Sequence, residues 1–395
     1  MTVVTAARVV TGSVVHAPGW ISHRDGVITG VGGGRPDQPD HDHGSDLGNA
    51  TLVPGFVDIH VHGGGGGSFT TDDPASALRA VDMHRRHGTT TTMASLVTAS
   101  PEELLASVSM LADLCRDGVV AGIHLEGPWI SPHRCGAHDP RQLRDPSAAE
   151  ITRLLTAADG AIAIATVAPE LTGGLDAIRR LTDAGVIAAV GHTDCSYAVA
   201  GDAIGAGARV ATHLFNAMRP IHHRDPGPIV ALLDDPRVAV ELIADGIHLH
   251  PALYRYVVRT VGPDRVALVT DAMAAAGLGD GSYRLGPMAV DVSDGVARIA
   301  GTPTIAGSTV TMDQLFRMAV RTGAPGASEA EVPARPTDEA LVHAARQTSV
   351  NPARLLGRTD IGSLEPGRRA DVVVLDADLH VTGVVGNGTY RRTRR

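Results

Sequence analysis

Pro54-Gly55-Phe56-Val57-Asp58-Ile59-His60-Val61-His62 precedes five glycines, Gly63 to Gly67. Val57, Ile59 and Val61 alternate with Asp58, His60 and His62. A period of two is that of a strand, and it puts both imidazoles on one face. Two histidines at the end of an apolar strand form half of a metal site. A surface strand with two solvated histidines is the alternative, and the apolar residues before the pair count against it. The glycine run predicts close approach of backbone or ligand, where a side chain would clash. A second His-x-His, His41-Asp42-His43, lies among Pro, Asp and Gly and reads as a loop.

Downstream of residue 54 the pattern becomes strand, loop and helix, repeated. A helix over 75–87 stops at Gly88, and a β-rich run follows over 89–96. Ser100, Pro101 and Glu103 supply an N-cap, a first helical position and a capping box for the next helix. Further apolar runs are read at 119–125, 161–167, 186–190, 209–212, 238–244 and 266–270. Eight near-continuous apolar strands alternating with helices imply a parallel sheet covered on its outside, and eight units close a barrel. The predicted fold is α/β, a (β/α)8 TIM-type barrel over residues 54–357. Residues 1–53 and 358–395 read as short strands, with an Asp25-Gly26 hairpin signal. They predict one small β-sandwich domain built from both chain ends.

Six of the eight strands end in His, Glu or Asp, where a barrel of this kind collects its chemistry. Glu126 ends the third, His192 the fifth, His213 the sixth, Asp271 the eighth, and 245–248 (Asp-Gly-Ile-His) follows the seventh. One histidine on a strand is more often a satisfied core group. His60, His62, Glu126, His192 and His213, ending four strands of one barrel, make a ligand set instead. Imidazole and carboxylate suit zinc first, with iron, manganese or cobalt as alternatives. The set is large enough for one or two divalent ions, with Glu126 as the bridge. Asp271 beside such a site reads as a general acid/base rather than as an N-cap.

Composition narrows the classes. The 395 residues carry a net charge of −9, which argues against a nucleic-acid surface. No apolar run reaches membrane-spanning length and no signal-peptide pattern opens the chain. Cys115, Cys135 and Cys195 show no CxxC spacing, which suits a reducing, cytoplasmic setting. The arginines near the C-terminus (391, 392, 394 and 395) read as a frayed end, residues 323–338 as a mobile loop, and 283–299 as irregular strands. Lysine is absent, and all 34 basic residues are arginine. A carboxylated lysine bridging two metals is therefore excluded. The glycine run lacks the Gly-Lys-Ser/Thr of a phosphate loop.

The chain resembles the amidohydrolase superfamily over nearly its whole length, and within it the N-acetylglucosamine-6-phosphate deacetylase family. The segments that carry this are PGFVDIHVHG (54–63), HLEGPWISPHRCGAH (124–138), VGHTDC (190–195), THLFNAMRP (212–220), DGIHLHP (245–251) and VTDAMAAAG (269–277). The resemblance implies Glu126, His192 and His213 as metal ligands, with His60 and His62 as a second metal position. It implies Asp271 as general acid/base and His138 as a contact to the acetyl carbonyl. It implies Ala137, Asn216, Ala217, Arg224 and His248 as sugar-phosphate contacts, with Ile305, Ala306 and Gly307 as a further, backbone contact. It also implies a homodimer in which Arg224 reaches the neighbouring site, and an amino-sugar phosphate as substrate. The Arg224 guanidinium fork suits phosphate oxygens. The competing readings are another amidohydrolase, such as a D-aminoacylase or deaminase, and a catalytically inert barrel kept as a scaffold.

Overall fold

The computed structural model describes residues 1–36, 44–322, 336–386 and 389–392. His41-Asp42-His43 and most of the 323–338 loop lie outside the described residues.

The barrel forms as the apolar runs predict, with shorter strands. Ala94–Leu96, Ile123–Glu126, Ile162–Val167, Ile187–Val190, Val210–Ala211, Ala239–Leu242 and Val266–Leu268 make one parallel sheet in chain order. The first strand, Phe56–Asp58, pairs with Thr89–Thr92. The second strand is thus interrupted at Met93, and its halves serve different neighbours. Between the eighth strand and the first, side chains and loops close the circle where a ladder is missing. Asp271 N–H donates to His60 O (2.8 Å), and the Thr270 hydroxyl donates to Asp58 Oδ2 (2.6 Å).

Inside the barrel the inward residues form two layers. Val57, Ile59, Met93, Ile164, Ala189, Val210 and Val269 fill the lower one. The upper one is polar: Ser95 meets His124 Nδ1 (3.0 Å), His124 Nε2 meets Thr166 (2.9 Å) and Thr166 meets Thr212 (2.9 Å). Such a chain is tolerable in a buried place only because each member has a partner. The larger apolar core lies between the strands and the surrounding helices.

Helices Pro74–Arg86, Pro101–Arg116 and Met312–Thr322 belong to that outer ring. Ser100 and Glu103 form the full capping box that the sequence predicts. The last of these helices meets the end of the first. Phe316 packs on Phe56 with ring centroids 5.5 Å apart, and Asp313 Oδ1 lies 3.2 Å from His87 Nδ1.

The two chain ends fold together. Val372–Leu375 pairs antiparallel with Thr51–Pro54, inside a six-stranded sheet. A four-stranded sheet from Thr2–Ala6, Gly19–Arg24, Val27–Gly33 and Gly44–Asp46 packs against it over Ile21, Ile28, Leu52, Val372 and Val374. Asp25 and Gly26 turn the predicted hairpin, both at positive φ. This is the small sandwich beside the barrel.

Three expectations are corrected. Thr389–Arg392 is a strand paired with Val381–Gly386, so Arg391 and Arg392 are not frayed. Gly281–Leu285, Met288–Ser293 and Val296–Ile299 make a regular three-stranded antiparallel sheet. The strand bearing His60 and His62 ends at Asp58, because Asp58 turns its carboxylate to His60 N–H and to Thr270. The glycine run meets the expectation of close approach, and what comes close is mainly backbone. Gly63–Gly64 and Gly67–Ser68 form a small hairpin pressed on helix Pro74–Arg86. A Cβ on Gly67 would lie 2.2 Å from Ser76 O, and one on Gly64 2.3 Å from the Met83 methyl.

Asp313 yields a stability prediction. Burial opposes its charge, but His87, Arg317 and Thr311 outweigh it and lower its carboxyl to about 2. A depressed folded pKa stabilises above the unfolded value and loses that contribution as pH falls through the folded one. Asp313→Asn should cost about 2 kcal/mol near pH 7. The gap between wild type and variant in urea melts should narrow from pH 4 towards pH 2. A gap unchanged over that window would refute the ion-pair account.

Candidate metal centre and active site

Strand ends deliver the predicted ligands to one buried point. Glu126, last residue of the third strand, sits at the centre. Its Oε1 lies 2.9 Å from His213 Nε2, 3.1 Å from His192 Nε2 and 3.4 Å from His60 Nε2. Its Oε2 lies 3.1 Å from His62 Nε2 and 3.3 Å from His138 Nε2. Asp271 Oδ1 joins from the eighth strand, 3.0 Å from His62 Nε2 and 3.4 Å from His60 Nε2. Two groups of donor atoms result, one from His60, His62, Glu126 and Asp271, the other from Glu126, His192 and His213. Glu126 belongs to both.

The backbone bends to achieve this. His192, His213 and Asp271 each have positive φ (47°, 26° and 49°), as do Phe215 and Ala217 in the loop after the sixth strand. Side chains other than Gly, Asn and Asp seldom adopt that conformation, and it concentrates where function over-determines geometry.

Partners at Nδ1 decide what each ring presents. His62 Nδ1 donates to Ser95 O (3.1 Å), His192 Nδ1 to Arg134 O (2.9 Å) and His60 Nδ1 to Glu241 Oε2 (3.1 Å). A carbonyl or carboxylate only accepts, so the proton is on Nδ1 and the Nε2 lone pair faces the centre. The His60 and His62 lone pairs meet head-on, with Nε2 atoms 3.2 Å apart, and the His192 lone pair lies 3.1 Å from His213 Nε2. A cation between them relieves that repulsion, so the residues fit a divalent metal with nitrogen and oxygen ligands. Burial opposes the charge on His62, yet with no cation in the centre Asp271 and Glu126 favour a proton there and raise it to about 9, and a bound metal would displace that proton from Nε2. The imidazoles in turn hold Glu126 well below its ordinary value against the cost of burial. The pocket is thus built for positive charge.

His138 is the exception. Its Nδ1 accepts the backbone N–H of Thr98 (3.1 Å) and sits 2.9 Å from the Thr98 hydroxyl. The ring proton is then on Nε2, pointing at the centre as a donor. Burial lowers His138 to about 4, so the ring is neutral.

Several substrate-contact candidates border this centre. His248 Nδ1 donates to Asp245 (2.7 Å). Burial opposes its charge, but Asp245 and Asp271 raise its pKa. Asn216 is anchored through Nδ2 to His213 O (3.1 Å), with Ala217 next to it. Ile305, Ala306 and Gly307 precede Ser308, whose N–H donates to Asp271 O (2.7 Å). Ala137 is half-buried beside His138. Arg224 is not brought in: it is exposed, with its guanidinium 2.6 Å from His223 Nε2. Trp129 is fully buried and donates to Glu150, a packing role as the sequence suggests.

The sequence reading missed Glu241, Thr98 and Glu170. Glu241 is a carboxylate within an otherwise apolar strand, and that is the signal for it. Its Oε2 also accepts His213 N–H (3.2 Å). Glu170 receives the Thr193 hydroxyl (2.5 Å) and Asp194 N–H (2.6 Å), which fixes the turn after His192. Glu241→Gln should weaken metal retention about 10- to 100-fold, as loss of a ligand's partner typically does. Competition with a chelator measures it, and wild-type retention would refute the role.

The model of the Amidohydrolase family matches residues 51–391. Among curated relatives, human N-acetylglucosamine-6-phosphate deacetylase is 38% identical over 362 residues, covering 88% of this chain and 85% of its own. N-acetylgalactosamine-6-phosphate deacetylase of Escherichia coli is 37% identical over 336 residues, covering 84% and 85%. Among solved structures, an Asp-to-Ala mutant of the Mycobacterium smegmatis N-acetyl-D-glucosamine-6-phosphate deacetylase, in complex with N-acetyl-D-glucosamine-6-phosphate, superposes with a TM-score of 0.93. It is 53% identical and covers 98% of each chain.

Proposed function

The chain belongs to the amidohydrolase family, and from that premise we propose that it hydrolyses the acetamide of N-acetyl-D-glucosamine 6-phosphate to D-glucosamine 6-phosphate and acetate. The observation that carries this reading is the buried Glu126 centre, with Asp271 and the His138 donor beside it. The reaction would serve amino-sugar catabolism and recycling.

His60, His62, Glu126 and Asp271 would hold one ion, and Glu126, His192 and His213 a second, with zinc the best match to the donors. Such an ion supplies Lewis-acid polarisation and makes water more acidic. Asp271, ionised, takes a proton from the attacking water. As the C–N bond breaks, it returns that proton to the leaving amine. The His138 Nε2–H is placed to donate to the acetyl oxygen as negative charge develops there. Asn216, Ala217, His248 and the backbone of 305–307 would orient the sugar, with Ala137 at the acetyl side.

Arg224 would bind phosphate across a homodimer, since it is exposed on the single chain and remote from any acidic partner within 4.0 Å among the described residues. We take residues 1–53 and 358–395 as the small domain and 54–357 as the barrel. No described helix is long and apolar enough to cross a membrane, and the three cysteines are unpaired. Both fit a cytoplasmic setting. The E. coli relative's name favours testing the galactosamine epimer beside the glucosamine one.

The assay is acetate release from the two N-acetylhexosamine 6-phosphates, with metal content measured on the same protein. Absence of release from both would overturn the proposal. Asp271→Asn should lower kcat about 10²- to 10⁴-fold, since an amide cannot accept the proton. Near-normal kcat would rule the role out. Because Asp271 is also one of the residues that would hold an ion, loss of turnover with the metal retained is the outcome that assigns it the proton transfer. Arg224→Ala should raise KM for the phosphorylated substrate and leave turnover of N-acetylglucosamine unchanged. Mixed Arg224→Ala and Asp271→Asn subunits should recover activity if Arg224 acts in trans.

A further inference from the structure

The two donor groups of the centre hold four imidazoles, His60, His62, His192 and His213. Three of them have an acceptor at Nδ1: Glu241, Ser95 O and Arg134 O respectively for His60, His62 and His192. His213 is the exception. Its Nδ1 is buried and has no hydrogen-bond partner among the described residues. A ligating histidine almost always donates its other ring N–H, which fixes tautomer and ring orientation. A buried donor left without an acceptor is costly.

The neighbouring strand carries a spare acceptor. Val210–Ala211, just before His213, pairs with Ala239–Leu242, and Leu214 N–H donates to Glu241 O (2.9 Å). Glu241 is 1% exposed, in a strand otherwise apolar. Its Oε2 takes the His60 ring proton (3.1 Å) and the His213 main-chain N–H (3.2 Å). Its Oε1 is buried and has no partner among the described residues. The unpartnered donor and the unpartnered acceptor therefore belong to two residues already joined by a hydrogen bond. The His60 and His213 rings stack with centroids 5.4 Å apart and 29° between their planes, so one carboxylate can serve both. A carboxylate offers about four lone-pair sites, enough for all three N–H groups.

We propose that Glu241 is a positioning residue for both ion positions: Oε2 holds His60, and Oε1 takes the Nδ1–H of His213, whose Nε2 lone pair then faces Glu126. This rests on the two-position metal reading given above. It adds that one carboxylate outside the ligand set ties the positions together, as Glu126 does inside it.

The test is a double-mutant comparison on the full-length chain, stripped by a chelator and reloaded with cobalt(II), whose visible bands report ligand geometry. His60→Asn vacates the position of His60, His62, Glu126 and Asp271 and removes the ring partner of Oε2. The remaining position has only Glu126, His192 and His213. Glu241→Gln is close in shape to the native residue but has one oxygen. That oxygen can replace Oε2, and the NH2 group then opposes His213 Nδ1–H. Adding Glu241→Gln to His60→Asn should weaken cobalt at the remaining position about tenfold and shift its bands. His62→Asn vacates the same position and decides the matter should His60→Asn fail to fold. Unchanged affinity and bands would overturn the proposal, because Glu241 would then serve His60 alone. A lower melting temperature of the metal-free double variant with unchanged bands would also overturn it, leaving Glu241 a structural role. No cobalt uptake by wild type would overturn the metal reading, and the proposal with it.

Discussion

A buried carboxylate organises this protein. Glu126 is 2% exposed at the end of a central strand, and an unpaired charge there would be prohibitive. Five imidazoles lie within 3.4 Å of its oxygens. Three of them aim lone pairs rather than protons towards it, so the arrangement is complete only with positive charge in the middle. The polar upper layer of the barrel follows from that demand. His124 packs edge-on against His60 at 4.5 Å, and the Ser95, Thr166 and Thr212 hydroxyls give it partners. The apolar layer beneath keeps water out. A site that concentrates charge in this way spends stability, which the large core around it supplies.

Closure of the barrel depends on the same few residues. The first and eighth strands share no ladder in the described structure, and Asp58 with Thr270 stands in for one. Just beyond that joint Asp271 N–H donates to His60 O (2.8 Å), which holds the segments bearing His60 and Asp271 together. Asp58 is fully buried, and burial pushes its carboxyl up to about 7, against the pull of Thr270 and His60. Structure and site are therefore not separable here, since the joint that closes the fold is the joint that aims the ligands.

Much of this was legible in the chain. Period-two alternation around His60 and the recurring apolar runs gave eight strands and their order, because a parallel strand must be apolar on both faces. Acidic and imidazole residues at their ends located the site. Strand lengths came out too long, since apolar character continues past the last ladder bond, as at Ile243 and Ala244. The glycine run left open whether backbone or ligand comes close, and packing of Gly64 against Met83 and Gly67 against Ser76 decides it there, a distinction that needs the neighbouring helix in place. Glu241 escaped because a single carboxylate in a strand carries no periodic mark. Arg224 is exposed beside His223, and no feature of its turn-rich loop in the sequence separates that place from one in the centre.

The least legible property is the protonation pattern of the histidines. His62, His192 and His138 are one residue type, and nothing local in sequence separates a ligand from a donor. The difference lies in what meets Nδ1. Ser95 O and Arg134 O accept from His62 and His192, which turns each Nε2 into a lone pair. Thr98 N–H donates to His138, which turns its Nε2 into a proton. A main-chain carbonyl and a main-chain amide thus assign opposite roles to identical rings some 3 Å from the same carboxylate. Backbone groups cannot be altered by side-chain substitution. The assignment is therefore set by the fold, and it persists only while the loops carrying Thr98 and Arg134 keep their registration. For Arg134 that registration rests on its own ion pair with Asp194 (2.7 Å), whose N–H is held by Glu170. Polar residues that never touch the centre are in this way as much part of its chemistry as the ligands.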